Sequence, residues 1–374
     1  MAPLVEKCNT DGRSHIITKL LRQQFNLKGT GPGTYTVSWH NDWTIGSNSY
    51  SLDEVVFANP NLPAFAGSAI SGLIHHAVST YLAEHLPAQP DVLKMHLEFV
   101  RASECTDGTV TITQIKLGRL TSHLQVQYAQ KGQLRVLALV VATDLTKPVG
   151  PSVPTTERWF LQQPRPPNPK PDFAAVEARR PDPNWLPAIM DGETLPLTRH
   201  QLVLNPAGGF PHDGLSDAWN RLLPEGDDRI DAMYLAVMAD IFPSLSDTGL
   251  RNGGLYDARA NFRRLEAGAV DRPGEPAVLR HHTLASLRRA AVFNMTVTLD
   301  VEFKRRIDPD KGLRWVFTRV ATKRARGGRM DLDVSICDED MELVVTAQQL
   351  VLVVEAKRKF RGGGGGGGEN KTRL

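Results

Sequence analysis

The feature that most constrains the fold is a pattern repeated in the two halves of the 374-residue chain. In the first half, apolar side chains recur at helical spacing from Ile70 to Leu82, and this stripe predicts a long central helix. Strand-like runs follow at 92–101, 109–117, 123–129 and 134–145. The second half has the same order, with a helical stripe from Ile230 to Ile241. Its strand-like runs lie at 293–303, 313–321, 330–337 and 343–354.

Two pairs of segments occupy matching places in the halves. His-Leu-Glu-Phe-Val-Arg at 96–101 matches Asp-Val-Glu-Phe-Lys-Arg at 300–305, and the runs at 132–141 and 341–350 also correspond. An antiparallel sheet with one apolar face can bury that face by wrapping around a helix. The pattern therefore predicts a duplicated α+β fold, in which each half is a long helix wrapped by an antiparallel sheet. We expect the two sheets to join side by side.

Proline and glycine mark the borders of these halves. Prolines recur every few residues from Pro148 to Pro187, and proline lacks the amide donor that a helix interior or a central strand requires. The glycine run at 362–368 cannot offset its chain entropy by burial. We therefore expect an N-terminal domain at 1–147, a proline-rich linker at 148–195, a C-terminal domain at 196–358 and a disordered tail at 359–374.

Composition excludes several classes of protein. Hydrophobic residues make up 41% and charged residues 23% of the chain, which is typical of a globular protein rather than a disordered or collagen-like one. A net charge of +3 is too small to indicate a nucleic-acid partner, and no apolar run approaches the ~20 residues that span a membrane. Cys8, Cys105 and Cys337 are sparse and lack metal-ligand spacing, so we expect a reducing compartment, no disulfide, no metal and no cofactor.

The two ends of the chain bear on its location. The first residues lack the apolar core of a secretory signal, and the final Lys-Thr-Arg-Leu only loosely resembles the peroxisomal Ser-Lys-Leu address. We predict a cytoplasmic protein, with the peroxisome as the less favoured alternative. Because unpaired edge strands readily pair with another chain, we also expect a homo-oligomer.

Three motifs in the second half narrow the fold class further. They are Leu-Ala-Val-Met-Ala-Asp-Ile-Phe-Pro at 235–243, Thr-Val-Thr-Leu-Asp-Val-Glu-Phe at 296–303 and Val-Thr-Ala-Gln-Gln-Leu at 345–350. In this order and duplicated context they resemble the thioesterase II-like acyl-CoA thioesterases, whose fold is the double hotdog. The resemblance spans roughly residues 35 to 355. It implies hydrolysis of a fatty-acyl or related acyl thioester of coenzyme A, in which Asp240, Thr296 and Gln349 hold the attacking water.

The chemistry of these side chains suits the implied reaction. Hydrolysis of a thioester needs a nucleophile, a proton acceptor and a place where the oxyanion is stabilised. Asp240 can take the proton from water, while Thr296 and Gln349 can orient that water and a backbone amide can meet the oxyanion. The chain has no Gly-x-Ser-x-Gly elbow, which suits a mechanism without a covalent intermediate.

Asp240 and Gln349 each have a plainer interpretation. Asp240 could be a polar residue near a helix end, but a carboxylate there meets the negative end of the helix dipole, at a cost of ~0.3–1 kcal/mol. It also borders the apolar stripe, so we favour a functional role. Gln348 and Gln349 must face opposite sides of a strand, and the family register selects Gln349.

Thr296 also has a plainer interpretation. Strict alternation places it on the polar face of its strand with Thr298 and Asp300, where it would be a solvated threonine. Thr296 can reach the site only if it lies where the strand begins, outside the regular alternation of side chains. The strand must then begin late.

Basic residues are candidates for binding the phosphates of coenzyme A. These are Arg119 in the first half and Lys304, Arg305 and Arg306 in the second. A solvated basic strand end is the competing interpretation.

The chain departs from the family pattern in two places. The family's Gly-Gly-Tyr-like turn before the first helix is replaced by Gly-Ser-Ala-Ile-Ser-Gly at 67–72. The connection between Asp240 and Thr296 is long, and its excess at about 249–290 could form a lid, a partner surface or a disordered insert.

Two alternatives to an acyl-CoA thioesterase stay open. One is a double-hotdog enzyme of specialised metabolism that acts on a polyketide-like chain bound to coenzyme A or to a carrier protein. The other is an acyl-binding protein that has lost catalysis. A dehydratase is disfavoured, because the chain lacks a His-x-x-x-Gly motif paired with a later Asp-x-x-x-Gln/His.

Overall fold

A computed structural model describes residues 25–38, 44–45, 64–65, 67–104, 106–153, 168–192, 196–223, 229–249, 257–281 and 291–355. Cys8, Cys105, the glycine run and the last four residues of the chain therefore lie outside the described residues. Among the helices in these ranges, none is both long and apolar enough to cross a bilayer.

The N-terminal half contains the long helix and the strands that its sequence pattern predicts. Its elements are β1 (Lys28–Gly31), β2 (Thr34–Val37), β3 (Thr44–Ile45), β4 (Ala64–Phe65), α1 (Gly67–His85), β5 (Asp91–Phe99), β6 (Gly108–Lys116), β7 (Ser122–Gln130) and β8 (Gln133–Thr143). The predicted stripe lies within α1 and is buried from Ile70 to Leu82. In β5, buried and more exposed residues alternate: Met95 and Leu97 are fully buried, and the polar residues on either side of each are more exposed.

The C-terminal half repeats this plan with additional elements. They are α2 (Phe173–Glu177), β9 (Trp185–Gly192), a 3-10 turn (Pro196–His200), β10 (Gln201–Pro206), β11 (Leu215–Leu222), α3 (Ala232–Met238), α4 (Leu245–Gly249), α5 (Ala258–Asp271), β12 (Ala277–His281), β13 (Val292–Phe303), β14 (Val316–Ala321), β15 (Ala325–Arg326), β16 (Arg329–Cys337) and β17 (Leu343–Glu355). The four predicted strands of this half are confirmed as β13, β14, β16 and β17.

The second central helix is shorter than predicted. The stripe from Ile230 to Ile241 predicts a long helix, but α3 has only 7 residues. It begins after Asp231, whose side chain accepts a hydrogen bond from the Tyr234 N–H at 2.8 Å and caps the helix. It ends at Met238, and Pro243 prevents a longer helix from continuing through Phe242, because proline disfavours helical geometry in the residue before it. The prediction of a second long helix is therefore wrong, although Met233–Met238 are all buried.

The two half-sheets join into one sheet of 15 strands. The order is β1-β2-β6-β7-β8-β5-β13-β17-β16-β14-β11-β10-β9-β12, with β15 paired to β16, while β3 and β4 form a separate pair. The junction is the antiparallel pair β5–β13, where Leu97 lies opposite Leu299 and Met95 opposite Val301. The predicted side-by-side joining is confirmed.

The helices α1 and α3 pack directly against each other inside this sheet. The Ser71 hydroxyl on α1 donates a hydrogen bond to the Ala236 carbonyl on α3 at 2.7 Å. A Cβ atom on Gly72 would lie only 2.6 Å from the Val237 Cγ2 atom, so glycine permits this close approach. The sheet face that packs on these helices is called the inner face below, and the opposite face the outer face.

Parts of the expected linker and of the long insert are regular structure. Strand β9 lies inside the segment expected as a linker, at 148–195, and pairs with β10. Within the insert, β12 pairs in parallel with β9, and α5 packs Phe262 and Leu265 against Leu186 of β9. The described part of the insert therefore extends and covers one edge of the sheet.

Candidate active site

Asp240 lies two residues beyond α3, where the end of that helix meets the beginning of α1. Its carboxylate is partly buried and accepts a hydrogen bond from the Thr296 hydroxyl, with 2.9 Å between Thr296 Oγ1 and Asp240 Oδ1. The Ser68 backbone N–H in the first turn of α1 also donates to it. First-turn amides have no partner within their helix and lie at its positive end, so they suit a carboxylate.

The surroundings of Asp240 change its acidity. Burial raises the pKa of the Asp240 carboxyl to about 7, although the hydrogen bonds from Thr296 and Ser68 act to lower it. Burial dominates because it removes the water that solvates the charged form. A carboxyl group with a pKa near neutrality can both accept and return a proton.

Thr296 reaches Asp240 through a bulge in β13. Thr296 lies opposite Val351 of β17 while Thr298 lies opposite Leu350, so Val297 is an extra residue. Such an insertion reverses the alternation of side chains, and it places Thr296 on the inner face with Leu299. The prediction that Thr296 contributes only if its strand begins late is wrong, since β13 begins at Val292.

Gln349 lies on the inner face of β17, and it approaches the same turn. Gln349 is buried whereas Gln348 is exposed, as their alternation requires. The Gln349 Nε2 atom donates to the Ala239 carbonyl oxygen at 2.5 Å, one residue before Asp240. Within the described ranges, no hydrogen bond joins Gln349 to the Asp240 side chain, and the side-chain oxygen of Gln349, Oε1, accepts no hydrogen bond.

The basic candidates lie at the end of the strands that is far from Asp240 and Thr296. Lys304 is eight residues along the chain from Thr296, which corresponds to about 25 Å at ~3.3 Å per strand residue. Each second-half candidate has an acidic neighbour: Lys304 contacts Glu302, Arg305 contacts Asp338 and Arg306 contacts Asp91.

Arg119 lies at the same end, beyond β6. It is exposed, and the neighbouring Leu120 carbonyl accepts a hydrogen bond from Thr143, which lies opposite Asp91. The structure thus brings Asp240, Thr296 and Gln349 to one end of the sheet and does not bring the basic candidates to them. These contacts favour a solvated basic strand end over phosphate binding.

Sequence reasoning missed a polar cluster beside Asp240. Asn294 on β13 contacts Ser244, Ser246 and Asp247 in the turn before and within α4. Its position two residues before Thr296 is informative only once the bulge is known, because regular alternation places both side chains on the outer face. The role of the Ser68 backbone N–H could not be predicted from the sequence, since every residue except proline has a backbone N–H.

The described residues contain no group of three or more His, Cys, Asp or Glu side chains placed to bind a metal ion. His75, in the middle of α1, is buried and lies against the Phe303 ring.

Solved structures define the class of fold. The chain is similar to a conserved protein of unknown function with a hot dog fold from Alicyclobacillus acidocaldarius, with a TM-score of 0.57, 14% identity and coverage of 91% of this chain and 99% of that one. It is also similar to the acyl-CoA thioesterase II TesB2 from Mycobacterium marinum, with a TM-score of 0.54, 15% identity and coverage of 90% and 98%. The predicted double-hotdog α+β fold is confirmed.

Sequence models then identify the family. Residues 61–143 match the acyl-CoA thioesterase N-terminal domain, and residues 162–353 match the acyl-CoA thioesterase C-terminal domain. The chain therefore belongs to the acyl-CoA thioesterase family. It is also 27% identical over 310 residues to the thioesterase-like protein TwmA of Talaromyces wortmannii, covering 78% of this chain and 84% of that protein.

Proposed function

We propose that the protein hydrolyses the thioester of an acyl-coenzyme A, with Asp240 as the general base. The observation that carries the proposal is the pairing of Asp240 with Thr296 at the N-terminus of α1. There the pKa of the carboxyl is raised to about 7. Family membership supports the substrate class, since both domain models that match the chain are those of acyl-CoA thioesterases.

The proposed reaction begins with a water molecule between Asp240, Thr296 and Gln349. Asp240 accepts a proton from this water as its oxygen attacks the thioester carbonyl carbon. One hydrogen of the water points to Asp240, and the side-chain oxygen of Gln349, Oε1, can accept a hydrogen bond from the other, while the Thr296 hydroxyl donates to Asp240 and orients it. When the tetrahedral intermediate collapses, the carbon–sulfur bond breaks and the protonated Asp240 returns its proton to the departing thiolate. The products are a carboxylic acid and a free thiol.

The oxyanion of the intermediate needs donors that are already oriented. The first-turn amides of α1 lack partners within the helix, and the Ser68 N–H is engaged by Asp240. The following amide, that of Ala69, lies at the same positive helix end and also lacks a partner within the helix, so it can stabilise negative charge. In this proposal the segment at 67–72, which departs from the family's usual turn, still supplies the electrostatic support through its backbone.

The test is release of free thiol from a panel of acyl-coenzyme A substrates of different chain lengths. Asp240→Asn keeps the side-chain shape and removes the base, so we expect the turnover rate to fall by ~10²–10⁴. Asp310→Asn is the matched control, because Asp310 is an exposed aspartate in a loop. Full turnover by Asp240→Asn would contradict the assignment, and substrate binding without thiol release would indicate an acyl-binding protein.

A folding measurement separates loss of the base from loss of structure. Because burial raises the pKa of Asp240, the charged carboxylate costs stability that increases as the pH rises from about 4 through about 7. We therefore expect the melting temperature of Asp240→Asn at pH 8 to equal or exceed that of the original protein.

A further inference from the structure

A cluster of four polar side chains adjoins the pair of Asp240 and Thr296, and the proposed reaction does not use it. The Asn294 cluster, as we call it, consists of Asn294 with Ser244, Ser246 and Asp247. Ser244 and Ser246 are buried, whereas Asn294 is exposed at the edge of the site. Because Asn294 lies two residues before Thr296 on β13, the cluster is next to the pair of Asp240 and Thr296.

Hydrogen bonds of 2.7–3.3 Å join the residues of this cluster. The Ser246 hydroxyl donates to Asn294 Oδ1 at 2.7 Å. The Asn294 Nδ2 group lies 3.3 Å from both Ser244 Oγ and Asp247 Oδ2, and donates to them. Asp247 Oδ2 also accepts from the backbone N–H and the hydroxyl of Ser244, at 2.8 and 2.7 Å. Asn294 thus joins β13 to three residues of the turn that follows Asp240.

The two sets of contacts connect the same two segments of chain. Asp240 contacts Thr296, while Ser244, four residues later, contacts Asn294, two residues earlier on β13. Val297 is the extra residue of the bulge, so Thr296 and Asn294 share the inner face. The segment from Asp240 to Ser244 is consequently held at both ends by one strand, and Pro243 restricts the backbone between them.

We propose that Asn294 and Asp247 are positioning residues that hold the Asp240 turn against the bulge of β13, and so keep Asp240 aligned with Thr296. This inference rests on the proposed function, since it concerns the same site. The Ser244 and Asp247 contacts fix the turn itself, and Asn294 fixes that turn to the strand. A displacement of about 1 Å in a catalytic group can cost ~10²-fold in rate.

No charged side chain among the described residues of neighbouring elements competes with this role. Within the described ranges, neither Asp240 nor Asp247 forms an ion pair, and the groups that face them are the neutral Ser68, Thr296, Ser244 and Asn294. Burial also raises the pKa of Asp247, against the hydrogen bonds from Ser244 and Asn294 that lower it. A carboxylate newly placed at position 294 would face Asp247 at short range.

The kinetic test compares Asn294→Ala and Asp247→Asn with a control on the same strand. Thr298→Ala is that control, because Thr298 lies beyond the bulge on the outer face. We expect kcat to fall about 10- to 100-fold in Asn294→Ala with KM within about twofold, because alignment is lost while the substrate contacts remain. A rise in KM alone would mean that the exposed Asn294 binds substrate directly, and would overturn the proposal. A lower melting temperature with normal kcat would overturn it as well.

A third variant gives a signature that a merely structural role would not. Asn294→Asp retains the acceptor for Ser246 but brings two carboxyl groups together, and like charges disfavour ionisation. We expect its kcat relative to the original protein to decline as the pH rises, because a higher pH favours the state in which both carboxyl groups are charged and repel each other. A deficit that is the same at every pH would contradict the proposed contact.

A measurement without substrate separates this inference from the proposed function. The titration of the Asp240 carboxyl can be followed by NMR in protein with ¹³C-labelled aspartate, with Asp240→Asn to assign the signal. Loss of alignment with Thr296 should raise the pKa of Asp240 in Asn294→Ala and leave it unchanged in Thr298→Ala. If the original protein releases no thiol, the proposed function fails, whereas an unchanged Asp240 pKa in Asn294→Ala refutes the positioning role.

Discussion

At the scale of single residues, the site depends on one carboxyl group and the hydrogen bonds it accepts. Asp240 is close to the core and therefore hard to ionise, and among the described residues the hydrogen bonds that lower its pKa come from Thr296 and the Ser68 amide. Removing either donor must make ionisation harder. In the proposed reaction, the acidity of Asp240 therefore connects these hydrogen bonds to the pH dependence of the rate.

The first prediction concerns that pH dependence. Because the base must be deprotonated, kcat/KM should rise about tenfold per pH unit below pH 7 and level off above it. In Thr296→Val the hydrogen bond that lowers the pKa is lost, so the midpoint should move to higher pH. Thr298→Val serves as the control and should keep the original midpoint. A midpoint for Thr296→Val equal to or below that of the original protein would contradict the role of Thr296.

The alternation of side chains along a strand predicts the orientation of Gln349 correctly and that of Thr296 incorrectly. Gln348 and Gln349 obey the alternation of a regular strand, and the one selected is the one that is buried. Thr296 does not obey it, because Val297 interrupts the pleat. No glycine marks this bulge, so the sequence contains no local signal for it.

At the scale of elements, the two central helices differ in length but share one interface. α1 and α3 approach each other closely enough that Ser71 and Gly72 contact α3 directly. This contact brings the end of α3 to the beginning of α1, and so brings Asp240 to the Ser68 amide. The interface between the helices is thus a condition for the site.

The second prediction tests this interface with two glycines that lie inside helices. In Gly72→Ala the new Cβ would meet Val237 Cγ2 at 2.6 Å, and overpacking of this kind costs about 1–3 kcal/mol. In Gly268→Ala on α5 the nearest atom is 3.4 Å away, so the helix propensity of alanine should keep stability equal or raise it. Urea unfolding of both variants measures the difference. Adding Val237→Ala should restore part of the stability lost in Gly72→Ala, and a Gly72→Ala protein as stable as the original would contradict the close approach.

At the scale of the whole molecule, the two halves are joined by β5 and β13. On the outer face of this junction, His96 of β5 contacts Asp300 of β13 at 3.0 Å and Glu98 at 3.1 Å, and Lys94 contacts Asp300 at 3.1 Å. Burial lowers the pKa of His96, but the hydrogen bonds and charges of Asp300 and Glu98 outweigh it and raise the pKa above its ordinary value. The pKa of Asp300 is lowered, because the hydrogen bonds from His96 and Lys94 outweigh the effect of burial.

The third prediction follows from the signs of these two shifts. A raised histidine pKa stabilises the fold fully below its unfolded value of 6.5, and this stabilisation is lost as the pH rises through the folded value. A lowered aspartate pKa stabilises above the unfolded value of 3.8. His96→Gln should therefore reduce the melting temperature by a few degrees near pH 5.5 and much less near pH 9. His212→Gln, an exposed loop histidine, should change neither. An equal loss at both pH values would show that the charge of His96 does not contribute.

The sequence by itself determined the duplicated α+β architecture and the family, and it selected Asp240, Thr296 and Gln349 as candidate residues. These follow from helical stripes, alternating strands and short motifs, which are properties of residues close together in the chain. The tertiary structure decided the rest. It ended α3 after 7 residues, placed Thr296 inward through a bulge and brought the Ser68 amide to Asp240. It also assembled the Asn294 cluster. Each of these features depends on packing between segments that are far apart in sequence; Asp240 and Thr296, for example, are 56 positions apart. A local sequence pattern cannot predict such contacts, because it contains only residues that are close together in the chain.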